Sequence, residues 1–389
     1  MTSRMIKAAV LAACCGAVAS CAAPVGSQAR SAHISRAAAT AAPATAAPVG
    51  PAVLKAVPAG PLAPAATSAP AAAPALAGPS WSPSGAASPA RPAPVPSASG
   101  TTAPAGPRSV SAAASAFSAK PGGILGVYSD GVPRSYSLVN RFGRKVGRAP
   151  NVVMYFSAWG DRFRTGFAEV ARRHGAVPFV ELEPYTVSMQ SIAAGRQDAY
   201  LWSYARAVRS FGGPVLIGFA HEMNGFWYRW GYKHTPPQVF RSAWRHVVTV
   251  FRRAGAWNVR WLWVINGLAA GESPIREWWP GANYVTWVAM DCYYVRPSQT
   301  FDSLFGPTIR ALRRLTRKPE LIAEVGIGSA AGQASKVPGL FAGVRAQHLL
   351  GFVYYDKAQH SGTYHQNWRI DYDWPAIAAF RRSIKRYLT

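Results

Sequence analysis

The chain has 389 residues and a formal charge of +26, and it is sharply divided: all 16 acidic residues lie between Asp130 and Asp373, and only Trp81 and Phe117 of the 46 aromatics fall in the first 120 positions. Those 120 positions hold 8 Lys and Arg and 17 of the 32 prolines, whereas residues 121–389 hold 34 basic against 16 acidic residues, a charge of +18. This excludes a wholly disordered chain, a disulfide scaffold and a polytopic membrane protein, and leaves a low-complexity front joined to one domain.

In residues 1–21, Arg4 and Lys7 precede a short apolar run, the charged and hydrophobic parts of a secretory signal. The run is broken by small residues and is too weak for a membrane span. Val18-Ala19-Ser20-Cys21 resembles a bacterial lipoprotein cleavage box, which implies lipidation at Cys21; an ordinary signal cut near Ala23 is the other reading. Either places the protein outside the cytoplasm, secreted or at the cell surface. Residues 22–120 are Ala, Pro, Ser, Thr and Gly with scattered bases, too poor in apolar bulk to offset the entropy of ordering. A disordered, Pro-stiffened linker between a surface anchor and a domain is expected.

From residue 121, eight short apolar runs alternate with helix-like segments. The runs are Ile124–Ser129, Val152–Ser157, Val177–Glu181, Val215–His221, Val259–Ile265, Trp287–Tyr293, Leu321–Val325 and Leu350–Tyr355. Several are near-continuously apolar, as parallel strands buried on both faces are. Between them lie amphipathic segments such as Arg162–His174, Gln197–Ser210, Gln238–Ala254, Phe301–Thr316 and Trp374–Tyr387. Pro236-Pro237 and Pro307 fit helix starts, and Gly175, Gly212 and Gly255 fit helix ends. Eight alternations over residues 121–389 predict an α/β fold, a (β/α)8 TIM barrel. A doubly wound open sheet lacks support, because Gly122-Gly123 precede the first run and no glycine-rich phosphate loop follows it.

The excess of base invites a nucleic-acid reading, but no dense basic run appears. The stretches Arg310–Lys318 and Arg381–Arg386 read as solvated helix faces. Retention on anionic cell-envelope polymers is the expected use of the charge; nucleic acid is not an expected partner. Contact with a membrane is expected only through a lipid at Cys21.

Polar residues at the C-terminal ends of barrel strands face the active site. That gives Asp130, Glu181, Glu183, Glu222, Asn266, Asp291, Glu324 and Asp356. So many carboxylates suggest acid/base chemistry on a neutral substrate. Glu181 and Glu183 read as caps or ion-pair partners before subsite residues, and Asp291 and Asp356 as structural. His221-Glu222 is not a zinc-protease motif, since position 225 is Gly where a second His is required. His174, His234, His246, His360 and His365 show no ligand spacing, and no metal or organic cofactor is expected. Cys292 reads as a buried small apolar residue. Glutamates ending the fourth and seventh runs, Glu222 and Glu324, are placed to work across one mouth. A glycosidic bond requires such a pair, one acid to protonate the leaving oxygen and one carboxylate at the anomeric carbon.

His221-Glu222-Met223-Asn224-Gly225, followed by Phe226-Trp227-Tyr228-Arg229-Trp230-Gly231, resembles the acid/base motif of glycoside hydrolase family 26. The resemblance extends to Ala194-Gly195-Arg196-Gln197-Asp198, Trp279-Pro280-Gly281, Trp287–Tyr293, the segment around Ala323-Glu324-Val325-Gly326, and Asn367-Trp368-Arg369-Ile370-Asp371. It implies a retaining endo-glycosidase with Glu222 as general acid/base and Glu324 as nucleophile. It also implies that His221 lines the subsite of the reacting sugar, that Trp227 stacks on a sugar face, and that Tyr293 hydrogen-bonds the nucleophile. Trp230 and Trp368 are further candidates for sugar contacts. Members of the family act mainly on β-1,4-mannan, and others on mixed-linkage β-1,3-1,4-glucan or β-1,3-xylan. Gly218 stands where many mannanases have Arg, and Val180-Glu181-Leu182-Glu183 is unusually acidic for them, so mannan is the first expectation rather than a settled one. The rivals are a mixed-linkage β-glucanase, a β-1,3-xylanase, and a barrel that binds envelope polysaccharide without cleaving it.

Overall fold

The computed structural model describes residues 120–268, 274–358 and 366–387. The signal-like start with Cys21, the Ala/Pro-rich linker up to residue 119, His360 and His365 lie outside the described residues. Eight strands, β1 (Ile124–Ser129), β2 (Val152–Ala158), β3 (Val177–Glu183), β4 (Val215–Phe219), β5 (Val259–Asn266), β6 (Trp287–Tyr294), β7 (Glu320–Ile327) and β8 (Gly351–Asp356), close into one barrel in sequence order. Every pairing, including β1 with β8, is parallel. The eight expected runs are the eight strands, and the (β/α)8 barrel is borne out.

Helices α1 (Ser137–Val146), α2 (Thr165–Arg173), α3 (Met189–Ala193), α4 (Asp198–Phe211), α5 (Pro237–Arg253), α6 (Phe301–Leu315), α7 (Gln333–Ala346) and α8 (Trp374–Tyr387) return the chain between strands. Two apolar cores explain why the strands read as continuous apolar runs. Inside the barrel pack Ile124, Val152, Met154, Val177, Phe179, Leu216, Leu262, Val264, Ala289, Leu321 and Val353. The alternate residues of the same strands meet the helices in a larger shell with Trp244, Phe251, Trp263, Phe305 and Phe380. Each such side chain, fully buried, contributes about 1.5–3 kcal/mol.

Helix boundaries follow local chemistry with one correction. Pro237 begins α5, and Gly212 ends α4 in the left-handed conformation, as expected. Pro307, however, lies inside α6. That helix starts six residues earlier, where Thr300 and Ser303 form a reciprocal capping box. Cys292 faces α6 from the outer side of β6, and its Sγ lies 4.0 Å from the Leu304 carbonyl oxygen.

Candidate active site

The C-terminal mouth of the barrel is shaped by two departures from regular strand geometry. The first ends β4 at Phe219, two residues before the apolar run does. Ala220 and Glu222 both take left-handed backbone angles, φ 52° and 51°, which cost a non-glycine residue about 1–3 kcal/mol each. The turn is held on several sides. Ala220 N–H donates to the Leu182 carbonyl and Glu222 N–H to that of Val264, each at 3.0 Å. Trp230 Nε1 donates to the His221 carbonyl at 2.7 Å. Asn224 clamps the loop to the end of β5, giving an amide N–H to the Asn266 carbonyl at 2.9 Å and accepting the Asn266 N–H at 2.8 Å. The turn brings Glu222 to Trp227, whose Nε1 donates to Oε2 at 2.8 Å. Trp227 reaches it by folding its ring back over Gly225, where a Cβ would lie 2.3 Å from Cζ2.

The second departure is a bulge in β7. Leu321 and Ala323 both point into the barrel, so strict alternation would send Glu324 outward, among the helices. Instead β6 pairs Met290 with Ile322 and then Asp291 with Glu324, skipping Ala323. On the other edge Ile322 pairs with Phe352 and Val325 with Tyr354, again one extra residue in β7. The extra residue turns Glu324 to the mouth. There its Oε2 accepts a short hydrogen bond from the hydroxyl of Tyr293.

Five carboxyl groups meet at this mouth: Glu181 and Glu183 from β3, Glu222, Asp291 from β6, and Glu324. Burial raises all five above the ordinary carboxylate range, Glu183 to about 8. The Glu222 charge pushes Glu324 up further, while the Tyr293 hydroxyl pulls it down; the Trp227 indole pulls Glu222 down. Charges this close cannot all form, so protons leave the cluster in separate steps. His221 beside them is driven the other way, to about 3, by burial, and stays neutral.

Several expectations need correction. Trp230 and Trp368 are both 1 % exposed, so neither offers a face to a sugar. Trp230 stacks under Tyr228 with ring centroids 4.4 Å apart, and Trp368 backs Tyr293 at 4.9 Å. His221 is also buried, with its Nε2 3.2 Å from the Tyr228 hydroxyl. Trp227, at 41 %, remains open to the mouth. Asp356, by contrast, is structural as expected: it accepts the Ile370 N–H at 2.8 Å and caps the last loop. Asp130 pairs at 3.9 Å with Lys357 on the rim. Glu181 and Glu183, read as caps or ion-pair partners, belong to the acid cluster itself, and Asp291 does too. Three lining tyrosines were not singled out from sequence. Tyr128 and Tyr355 stack at 4.8 Å beside Glu324, and Tyr228 covers His221. Strand parity marks the first two, since Tyr128 lies four residues beyond the inward Ile124 and Tyr355 two beyond the inward Val353. Among the described residues, no group of three His, Cys, Asp or Glu is arranged to hold a metal ion.

A closed parallel barrel with glutamates from its fourth and seventh strands at one mouth defines the class of paired-carboxylate (β/α)8 barrels. Residues 200–332 of this barrel match the model of glycosyl hydrolase family 26. Endoglucanase H of Acetivibrio thermocellus is 28% identical over 274 residues, covering 65% of this chain and 29% of that protein. Mannan endo-1,4-beta-mannosidase A and B of Caldalkalibacillus mannanilyticus is 33% identical over 97 residues, 23% of this chain and 18% of that protein. The chain thus spans less than a third of the length of these curated relatives. In fold it is similar to Bacillus subtilis mannanase man26, with a TM-score of 0.54 at 18% identity over 68% of this chain and 86% of that one.

Proposed function

We propose that the barrel is a retaining, endo-acting O-glycosyl hydrolase that cleaves a β-linked polysaccharide, β-1,4-mannan first among the candidates. The observation that carries the reading is the β7 bulge, which turns Glu324 into the mouth and onto the Tyr293 hydroxyl, within electrostatic reach of Glu222. A buried O–H···carboxylate bond is a stronger support for charge than an indole N–H at an open ring. It supports a reading in which the pair's negative charge sits on Glu324 and the proton on Glu222, although burial raises Glu222 to about 7 and burial with the Glu222 charge raises Glu324 to about 8. That is the division of labour a double displacement needs.

In the first step the Glu324 carboxylate attacks the anomeric carbon. The glycosidic C–O bond breaks, and the Glu222 proton passes to the leaving oxygen. In the second, water attacks the same carbon, Glu222 takes its proton, and the bond to Glu324 is released. The exposed indole of Trp227 beside Glu222 supplies a flat apolar face for a pyranose ring. Glu222→Gln or Glu324→Ala lowers turnover by orders of magnitude while leaving the fold intact.

A mixed-linkage β-glucan is the second reading. It is favoured by Gly218, which stands where many mannanases have Arg, and by similarity over 65% of the chain to a protein named as an endoglucanase. β-1,3-Xylan is a third substrate within the family. A barrel that only binds envelope polysaccharide leaves the paired acids without a task. Export, lipidation at Cys21 and retention on anionic envelope polymers complete the proposal, supported by the signal-like start and the charge. The test is reducing-sugar release from β-mannan, glucomannan, barley β-glucan and β-1,3-xylan by wild type and Glu324→Ala. Cleavage of one polymer by wild type alone names the substrate. A folded wild type inactive on all four moves the reading to the binding barrel or to an envelope glycan outside the four.

A further inference from the structure

Glu181 has no task in the double displacement, yet it is the deepest acid of the mouth. Its side chain is wholly buried, and neither carboxyl oxygen has a hydrogen-bond partner. Oε2 lies 3.7 Å from His221 Nδ1, which is itself buried and without a partner. The place for this carboxyl is made by Gly218, its register partner on β4: a Cβ there would lie 2.2 Å from Oε2. Two orphan polar groups facing each other across a gap cut by a glycine call for an explanation.

The other side of the imidazole supplies one. His221 Nε2 contacts the Tyr228 hydroxyl at 3.2 Å. A phenol oxygen can accept an N–H, so this side suits a ring protonated at Nε2 with a bare Nδ1. The ring is neutral, and a bare Nδ1 is an acceptor that requires a donor. The facing group is Glu181, wholly buried with no hydrogen-bond partner at either oxygen. It can donate only as the protonated acid, and Nδ1 is the acceptor that faces its O–H. Burial and the charges of Glu183, Glu222 and Glu324 all keep that proton on; Asp291 on β6 adds to the same field. Closing 3.7 Å to hydrogen-bond length takes a shift of about 1 Å.

We propose that Glu181 is a positioning residue: it donates an O–H to His221 Nδ1, fixes the imidazole as the Nε2–H tautomer, and thereby directs the Nε2–H at the Tyr228 hydroxyl. That contact holds the Tyr228 ring, and through it the wall of the mouth beside Glu222, in one orientation. The effect on turnover rests on the glycosidase reading; the tautomer does not.

The test is the imidazole 15N spectrum of the full chain labelled at histidine, with His221 assigned by its loss in His221→Asn, alongside kcat/KM on the cleaved polymer. The wild type is expected to show a protonated Nε2 and an unprotonated, hydrogen-bonded Nδ1. Glu181→Gln keeps both the tautomer and most of the turnover, because its amide N–H can donate in place of the acid. Glu181→Leu leaves Nδ1 without a donor: the tautomers mix, and kcat/KM falls about 10- to 100-fold. A protonated Nδ1 in the wild type overturns the proposal, as does an unchanged tautomer in Glu181→Leu. If the Leu variant does not fold, the wild-type and Gln spectra still decide. A wild type that cleaves nothing counts against the glycosidase reading, and the spectrum judges Glu181 independently.

Discussion

Replacing Tyr293 by Phe removes one atom from the site and tests the assignment of charge within the acid pair. The Phe ring keeps the packing on Trp368 and on Tyr355, whose ring centroid lies 5.7 Å away. Only the donor to Glu324 Oε2 is lost. That bond favours the ionised form, so its loss raises the Glu324 pKa. Glu324 is 6 % exposed, so water screens the interaction little. A hydrogen bond to a charged group contributes about 1.5–3 kcal/mol, or about 1–2 pH units at 1.36 kcal/mol each. As the proposed nucleophile Glu324 must be ionised, so the acid limb of the kcat/KM profile is expected to move up by that amount. The limb set by Glu222 stays in place, and the bell narrows from its acid side with a lower maximum. Initial rates across pH 4 to 9 measure both limbs. An acid limb that is unmoved or moves down refutes the placement of the negative charge on Glu324.

Trp227→Phe acts on the other acid: losing the 2.8 Å indole bond lets Glu222 hold its proton longer. The alkaline limb then moves up, by less than about one unit because the ring is exposed; a downward move contradicts the assignment. Glu222→Gln is expected to stabilise the fold at alkaline pH, since burial raises the Glu222 pKa to about 7. A buried acid with a raised pKa binds its proton in the folded state only, so its contribution is lost as pH rises from the unfolded to the folded value. Removing that loss adds on the order of 1–2 kcal/mol at pH 8 and raises Tm by about 2–8 °C, with less gain at pH 5. Calorimetry that finds equal effects at both pH values counts against it. Gly218→Ala drives a Cβ against Glu181 and costs about 1–3 kcal/mol. Urea unfolding of Gly218→Ala combined with Glu181→Ala should recover most of that loss, and strict additivity would show that the two residues do not share the space.

The barrel was legible because parallel strands buried on both faces leave continuous apolar runs, and each of the eight runs became a strand. Strand ends were less legible where tertiary contacts overrule local preference. β4 stops at Phe219 because the clamp from Asn224 and the Trp230 indole holds Ala220 and Glu222 in backbone angles that no apolar pattern announces. Pro307 reads as a helix start, but Thr300 caps the helix first. The motif Trp230 and the loop Trp368 read as sugar platforms because sequence reports an aromatic and not its burial. Tyr228 and Tyr293, in front of them, are the partly exposed rings. Glu324 is the sharpest case. Its run alternates so that parity places it outside the barrel, and a bulge recorded only in the pairing with both neighbours brings it in.

The irregularities of the molecule gather at one end for a physical reason. Ala220 and Glu222 are strained, Glu181, Asp291 and His221 Nδ1 are buried without partners, and β7 loses its register, all within the last turn of the strands. A protein domain retains only a small net stability, so such costs persist where the rest of the fold over-determines the geometry. Here the packed lower layers of the barrel and the aromatic shell beneath the helices do so. Desolvation is also what the site uses. In the proposed mechanism the same burial that makes five neighbouring carboxyls unfavourable serves to hold one protonated beside another that is charged, a difference that water would erase. A variant that opened the mouth to solvent would therefore gain stability and lose the pKa separation together, and relief of the strain should come at the expense of turnover.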